Sequence, residues 1–127
     1  MKTKLGILAV GLLWLAPSLA AHHGWEFDYD SNKPVKVKGI VTKVEWTNPH
    51  IHFYVDSKDE KGNVTEWNFE IASPLALERQ GSSRRNLPIG LEVTVQGLGG
   101  RAVTTRAVGN SITLTDGTLL FTGKPGQ

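Results

Sequence analysis

From Val35 the chain alternates apolar and polar residues in strand-like segments, and the alternation changes phase once in the first of them. "VKVKGIVTKVEWT" is rich in β-branched residues: Val35 and Val37 share one parity, and Ile40, Val44 and Trp46 share the other. A glycine inside such a slip predicts a bulge or sharp bend at Gly39 in a long first strand. "HIHFYVD" predicts a second strand, entered through an Asn48-Pro49 turn. It places Ile51, Phe53 and Val55 on a core face and His50, His52 and Tyr54 on the other. "KDEKGN" reads as a hairpin tip centred on Gly62-Asn63, followed by a third strand over Val64 to Ile71. There Trp67, Phe69 and Ile71 take the core parity, and Glu66, Asn68 and Glu70 share the histidine face if the two strands pair. Ser73-Pro74 then starts a helix through "LALERQ", with serine as cap, proline in the first turn and Gly81 as the stop. "LEVTVQG" predicts a fourth strand, and "LGGR" a flexible connection. "AVTTRAVG" and "SITLTDGTLLF" supply a fifth strand and a closing hairpin around Asp116-Gly117.

Three strands, one short helix and two or more strands define an all-β class with the order βββαββ. A small OB-like β-barrel of five to six strands has this order, with its helix between strands three and four. A β-sandwich is the alternative, and a single helix at mid-chain argues against it. The barrel domain is expected over residues 35–127. Ahead of it, Ala21 to Pro34 has no period and reads as an arm that docks through Trp25, Phe27 and Tyr29.

The start of the chain changes the picture. Two lysines, Lys2 and Lys4, precede the apolar run "LGILAVGLLWLA", and small residues follow Pro17. This is the layout of a secretory signal peptide over residues 1–20. The run is too short for a membrane-spanning helix, which needs about 20 apolar residues. The expected product is a periplasmic protein free of the membrane after cleavage. Without Lys2 and Lys4, the 14 Lys+Arg fall to 12 and balance the 12 Asp+Glu. A neutral domain is poorly suited to nucleic acid, whose binding depends on phosphate neutralisation. Cysteine is absent, which excludes disulfides and thiolate chemistry.

The candidate chemistry lies in four histidines that fall in two pairs, His22-His23 and His50/His52. Two residues apart on a strand, His50 and His52 point to one face about 7 Å apart, with Glu70 as a candidate supporting ligand or partner. Cleavage after Ala20 leaves Ala21-His22-His23 as a new terminus. Its amine, two backbone amides and the His23 imidazole can bind Cu(II) in a square plane. Cleavage after Ala21 instead makes His22 the first residue, a histidine brace with one imidazole from "HIH". Nitrogen donors without thiolate favour Cu(II); Zn(II) is the second candidate ion. The sole methionine is Met1, which excludes a methionine-rich Cu(I) carrier. "DYDSN" imitates the start of a calcium loop, but Lys33 and Gly39 stand where glycine and glutamate are needed. No nucleophile motif of the serine or cysteine type is present.

The segments "AHHGW.FD", "G.VT.VEWTNPH", "W.FE..SP..L.R.G" and "G..VTV.G" span nearly the whole mature chain. Together they resemble a family of small exported bacterial proteins of unknown function (domain of unknown function family 6152). Residues carrying the resemblance are His22, His23, Trp46, Asn48, Pro49, His50, Trp67, Glu70, Ser73 and Pro74, with His52 a weaker match. The resemblance implies a bacterial, periplasmic β-barrel and supplies no activity. A looser likeness, resting on strand order, is to exported bacterial OB-fold stress proteins. Three functions stay open. The leading one is a non-enzymatic metal-binding protein, with Cu(II) held by His22, His23 and His50 and supported by His52 and Glu70. A metal-free ligand- or protein-interaction module would use an aromatic platform of Trp46, Tyr54 and Trp67. A histidine-brace copper enzyme is the third.

Overall fold

The computed structural model describes residues 28–123. The expected signal peptide, most of the expected arm, and the expected ligands His22 and His23 lie outside the described residues. Six strands make up most of what is described: β1 (Tyr29–Glu45), β2 (His52–Lys58), β3 (Val64–Glu70), β4 (Glu92–Gly100), β5 (Arg106–Leu114) and β6 (Leu119–Thr122). One short helix, α1 (Pro74–Arg79), sits between β3 and β4. Antiparallel pairing runs β3-β2-β1-β4-β5-β6. A parallel contact between β3 and β5 then closes the first five strands into a ring, with Asn68 opposite Arg106 and Glu70 opposite Val108. The fold is therefore the small all-β ring with a mid-chain helix that the element order predicts.

Strand parity sets the core. Ile51, Phe53 and Val55 are fully buried, and Phe69 stacks on Phe53 with ring centroids 5.4 Å apart. β2 and β3 pair as the expected hairpin, with His52 opposite Glu70 and Tyr54 opposite Asn68. The helix also forms where its caps direct: the Ser73 side chain accepts from the Ala76 amide, and Leu77 points into the core. Gly81, past the last helical residue, takes a positive φ of 80°.

Three local expectations need correction. First, the phase slip in β1 is not at Gly39. Inward parity continues through Val37 and Val41, Ile40 is 39% exposed, and the register of β1 on β2 breaks between Val41 and Lys43. Gly39 is required for a different reason. Here β1 passes from pairing with β4 to pairing with β2, and a Cβ would overlap the Asp56 carbonyl oxygen. Second, β1 begins at Tyr29, so the last residues assigned to the arm belong to the strand; Tyr29 pairs with Gly100. Third, the glycines of "LGGR" are not a flexible connection, because β4 runs on through Gly100. No helix among the described residues is long and apolar enough to cross a membrane.

Candidate functional site

Glu70 is the last residue of β3. Its parity points outward, yet it is only 8% exposed. The reason is ring closure: β5 lies alongside, and the first residue of β1 covers the strand end. Three donors converge on the carboxylate from three other parts of the chain. Oε1 accepts from His50 Nδ1 at 2.7 Å. Oε2 accepts from the Tyr29 hydroxyl at 2.5 Å and from an Arg106 guanidinium nitrogen at 3.2 Å. The guanidinium also lies 5.6 Å from the Tyr29 ring.

His50 is not within β2. It stands in the connection just ahead of it, after a cis Asn48-Pro49 peptide bond. Its position is set by backbone pairing on its C-terminal side. The Ile51 amide donates to Ala72 and the Ile71 amide donates to Ile51, at 3.1 and 2.9 Å. These bonds hold His50 beside the end of β3.

The electrostatics favour an ionised carboxylate. Burial pushes the Glu70 carboxyl up, but the hydrogen bonds from Tyr29 and His50 and the charges of His52 and His50 together outweigh it. The result lies below the ordinary carboxylate range. Burial and the bond to Glu70 push the Tyr29 phenol well above its usual value, so it stays a donor. Burial works against the Arg106 charge, but Tyr29 and Glu70 more than restore it. An ionised carboxylate can only accept, so His50 carries its proton on Nδ1 whenever it is neutral. Its Nε2 lone pair is then turned away from Glu70.

A carboxyl held below its unfolded value of about 4.3 stabilises the fold at every pH above that value. The contribution is lost as the pH falls through the lower, folded value. The melting temperature of the wild type is therefore expected to drop steeply below about pH 4. A Glu70→Gln variant, with no carboxyl to protonate there, should follow a flatter profile. Parallel profiles for the two proteins would show that Glu70 does not drive the acid transition.

The neighbouring polar face is organised separately. His52 Nδ1 lies 3.2 Å from Asn68 Oδ1, and the Asn68 amide donates to the Tyr54 hydroxyl at 3.4 Å. Lys43 pairs with Glu45 at 2.6 Å, and its ammonium sits 5.0 Å from the centre of the Tyr54 ring. Trp46 and Trp67 instead pack against the core. The three aromatics thus do not form one exposed platform.

Among the sequence-predicted residues, the fold brings His50 and Glu70 into contact and sets His52 beside Glu70 across the β2–β3 ladder. No group of three or more His, Cys, Asp or Glu able to hold a metal ion occurs among the described residues. Two members of the cluster, Tyr29 and Arg106, were not singled out for chemistry by the sequence. Tyr29 was visible only as an aromatic of the arm, and nothing about Arg106 marked it.

No curated protein and no solved structure matches the chain. A family described as "Family of unknown function (DUF6152)" matches residues 11–109, a span that contains both histidine pairs, Tyr29, Glu70 and Arg106. That span is most of the chain, and the protein belongs to this family of unknown function, DUF6152.

Proposed function

We propose that the protein is an exported, non-enzymatic metal-binding protein, with Cu(II) its preferred ion and Zn(II) the second. The site is assembled from the His22-His23 arm and His50. The observation that supports this reading best is the 2.7 Å contact between His50 Nδ1 and the buried Glu70 carboxylate. Metal-ligating histidines commonly donate their second ring nitrogen to a carboxylate, which fixes the tautomer and raises ligand basicity. Glu70 gives His50 that support and leaves Nε2 available.

The strand end lends further support. Tyr29 ties the start of β1 to the same carboxylate that orients His50. His23 stands six residues before Tyr29 and His22 seven. An extended chain covers up to about 20 Å in six residues, so the arm is long enough to reach back to His50. Amine, amide and imidazole nitrogens without thiolate suit Cu(II) best among common divalent ions. Within this reading Glu70 orients a ligand, and His52 is a neighbouring imidazole whose Nε2 is likewise free of the Asn68 contact.

The test uses the protein exported with its own leader, its terminus read by intact mass, and Cu(II) titration followed by electron paramagnetic resonance. Replacing His50 with alanine is expected to weaken Cu(II) binding about tenfold or more and to change the spectrum. A signal that needs His23 but is indifferent to His50 would reduce the site to a terminal chelate outside the fold. Absence of tight copper binding in the wild type would overturn the reading altogether.

A further inference from the structure

We propose that the unpaired edge of β1 over residues 34–38 is a docking site for an extended acidic peptide, which adds to the sheet as a further strand. The site shares no residue with the proposed metal site and does not depend on it.

β1 serves two partners in turn. β4 pairs with it from Tyr29 to Ile40, and β2 pairs with it from Ile40 to Glu45 on the opposite side. At Gly39 the two strands meet so closely that a Cβ would overlap the Asp56 carbonyl oxygen. Beyond this point β2 runs on to Lys58 without pairing to β1. Among the described residues, no other strand takes its place beside residues 34–38. The strands part around an open groove whose walls include Lys38, Ile40, Asp56, Lys58 and Val64.

Backbone alternation determines what the edge offers. The Val41 amide donates to Leu91 and its carbonyl accepts from Gly90, both on the β4 side. Successive residues of a strand turn these groups to opposite sides. Lys36 and Lys38 therefore direct their N–H and C=O groups away from β4, toward the open edge. Pro34 has the same parity but no N–H to offer. An unpaired edge is a template for another strand, and lysine and proline there restrict which strands can join.

Charge selects the guest. A second copy of β1 would set lysine against lysine, which is unfavourable across a strand pair; an acidic strand meets opposite charges. Glu92 already holds the Lys38 ammonium at 3.0 Å, and Asp56 lies in the groove. The positive surplus comes from Lys33 and Lys36 on β1 and Lys58 across the groove, all exposed. Parity sets the guest's pattern as well. Lys36 and Lys38 are exposed, while Val37 is buried and Val35 half-buried. A matching strand alternates acidic side chains with β-branched apolar ones, main-chain bonds giving affinity and side chains specificity.

The experiment uses the protein exported with its own leader and a short synthetic peptide that alternates glutamate and valine. Fluorescence anisotropy measures binding, and amide shifts in nuclear magnetic resonance locate it. The largest shifts are expected at Lys36 and Lys38. A lysine–valine counterpart should bind at least about tenfold more weakly, and Lys36→Glu with Lys58→Glu should cost the acidic peptide a similar factor. N-methylation of each alternate set of peptide nitrogens in turn leaves the side chains intact. One of the two sets should cost about tenfold or more, because that set pairs with the edge. This readout uses the wild-type protein and stands even if the double variant does not fold. No binding of the acidic peptide, shifts centred on another surface, or indifference to both methylations would overturn the proposal. Equal binding of the lysine–valine peptide would overturn it too. Self-association of the wild type through the same amides would give the edge to a second copy instead.

Discussion

Replacing Glu70 with alanine is expected to destabilise the protein by about 3 kcal/mol, the lower end of the cost of removing one partner from a buried charged cluster. The expected fall in melting temperature is about 12–24 °C, at about 4–8 °C per kcal/mol for a domain of this size. The estimate is placed at the lower end because the three donors differ. His50 and Arg106 are 33% and 38% exposed at the side chain and can recover part of their hydrogen bonding from water. Tyr29, at 1% exposure, cannot. The single carboxylate joins β3 to the β1–β2 connection, the start of β1 and the start of β5. Its loss should therefore loosen the seam where the ring closes. Thermal unfolding followed by circular dichroism measures the loss. Glu70→Gln, which keeps one acceptor oxygen, should fall between alanine and wild type. A melting temperature for Glu70→Ala equal to that of wild type would mean that the cluster contributes nothing to closure.

The faces of β2 and β3 were legible because both strands alternate cleanly and the hairpin between them is short. Phe53 and Phe69 had to share a face, and so did His52 and Glu70 once the strands paired. The cap at Ser73 and the turns at Gly62 and Gly117 were legible for a similar reason: each is a local rule applied to a few residues, and both glycines take positive φ. The candidate site was legible only in half. His50, in the connection just ahead of β2, is 20 residues from Glu70, but Tyr29 and Arg106 are 41 and 36 residues from it in sequence. They reach it only through ring closure, which no window of local pattern encodes. The same limit explains why the burial of Glu70 was not legible: its parity is outward, and what buries it comes from elsewhere in the chain.

Glycine was the other source of error, because flexibility and close approach look alike in a sequence. Gly39 marked a bend but sits where two partner strands crowd one backbone, and the actual slip follows Val41. "LGG" suggested a loose connection, yet Gly99 and Gly100 lie in β4 with Gly97. β4 and β5 are held close at Gly97, where their register also shifts.

Gly97→Ala should accordingly be severe. A Cβ at this position would overlap the Val108 carbonyl oxygen, and the Gly109 Cα lies 3.1 Å away. Both are backbone atoms of β5, so no side-chain rotation relieves the clash and the two strands must separate. Val108 also faces Glu70 across the parallel β3–β5 contact, so the displacement would reach the closing seam. The expected cost is at least about 3 kcal/mol, the upper end of the usual range for overpacking. That corresponds to a fall of about 12 °C or more in melting temperature. Gly99→Ala, two residues along the same strand, is the control. Its nearest new contact is a Val35 side-chain methyl at 3.4 Å, which can yield slightly, and the expected cost is under about 1 kcal/mol. Thermal unfolding of the pair therefore separates two explanations of the glycine-rich segment. If both variants melt near the wild type, the segment is tolerant and β4 and β5 are less tightly apposed than described. If only Gly97→Ala collapses, its glycine is there because β5 leaves no room for a side chain.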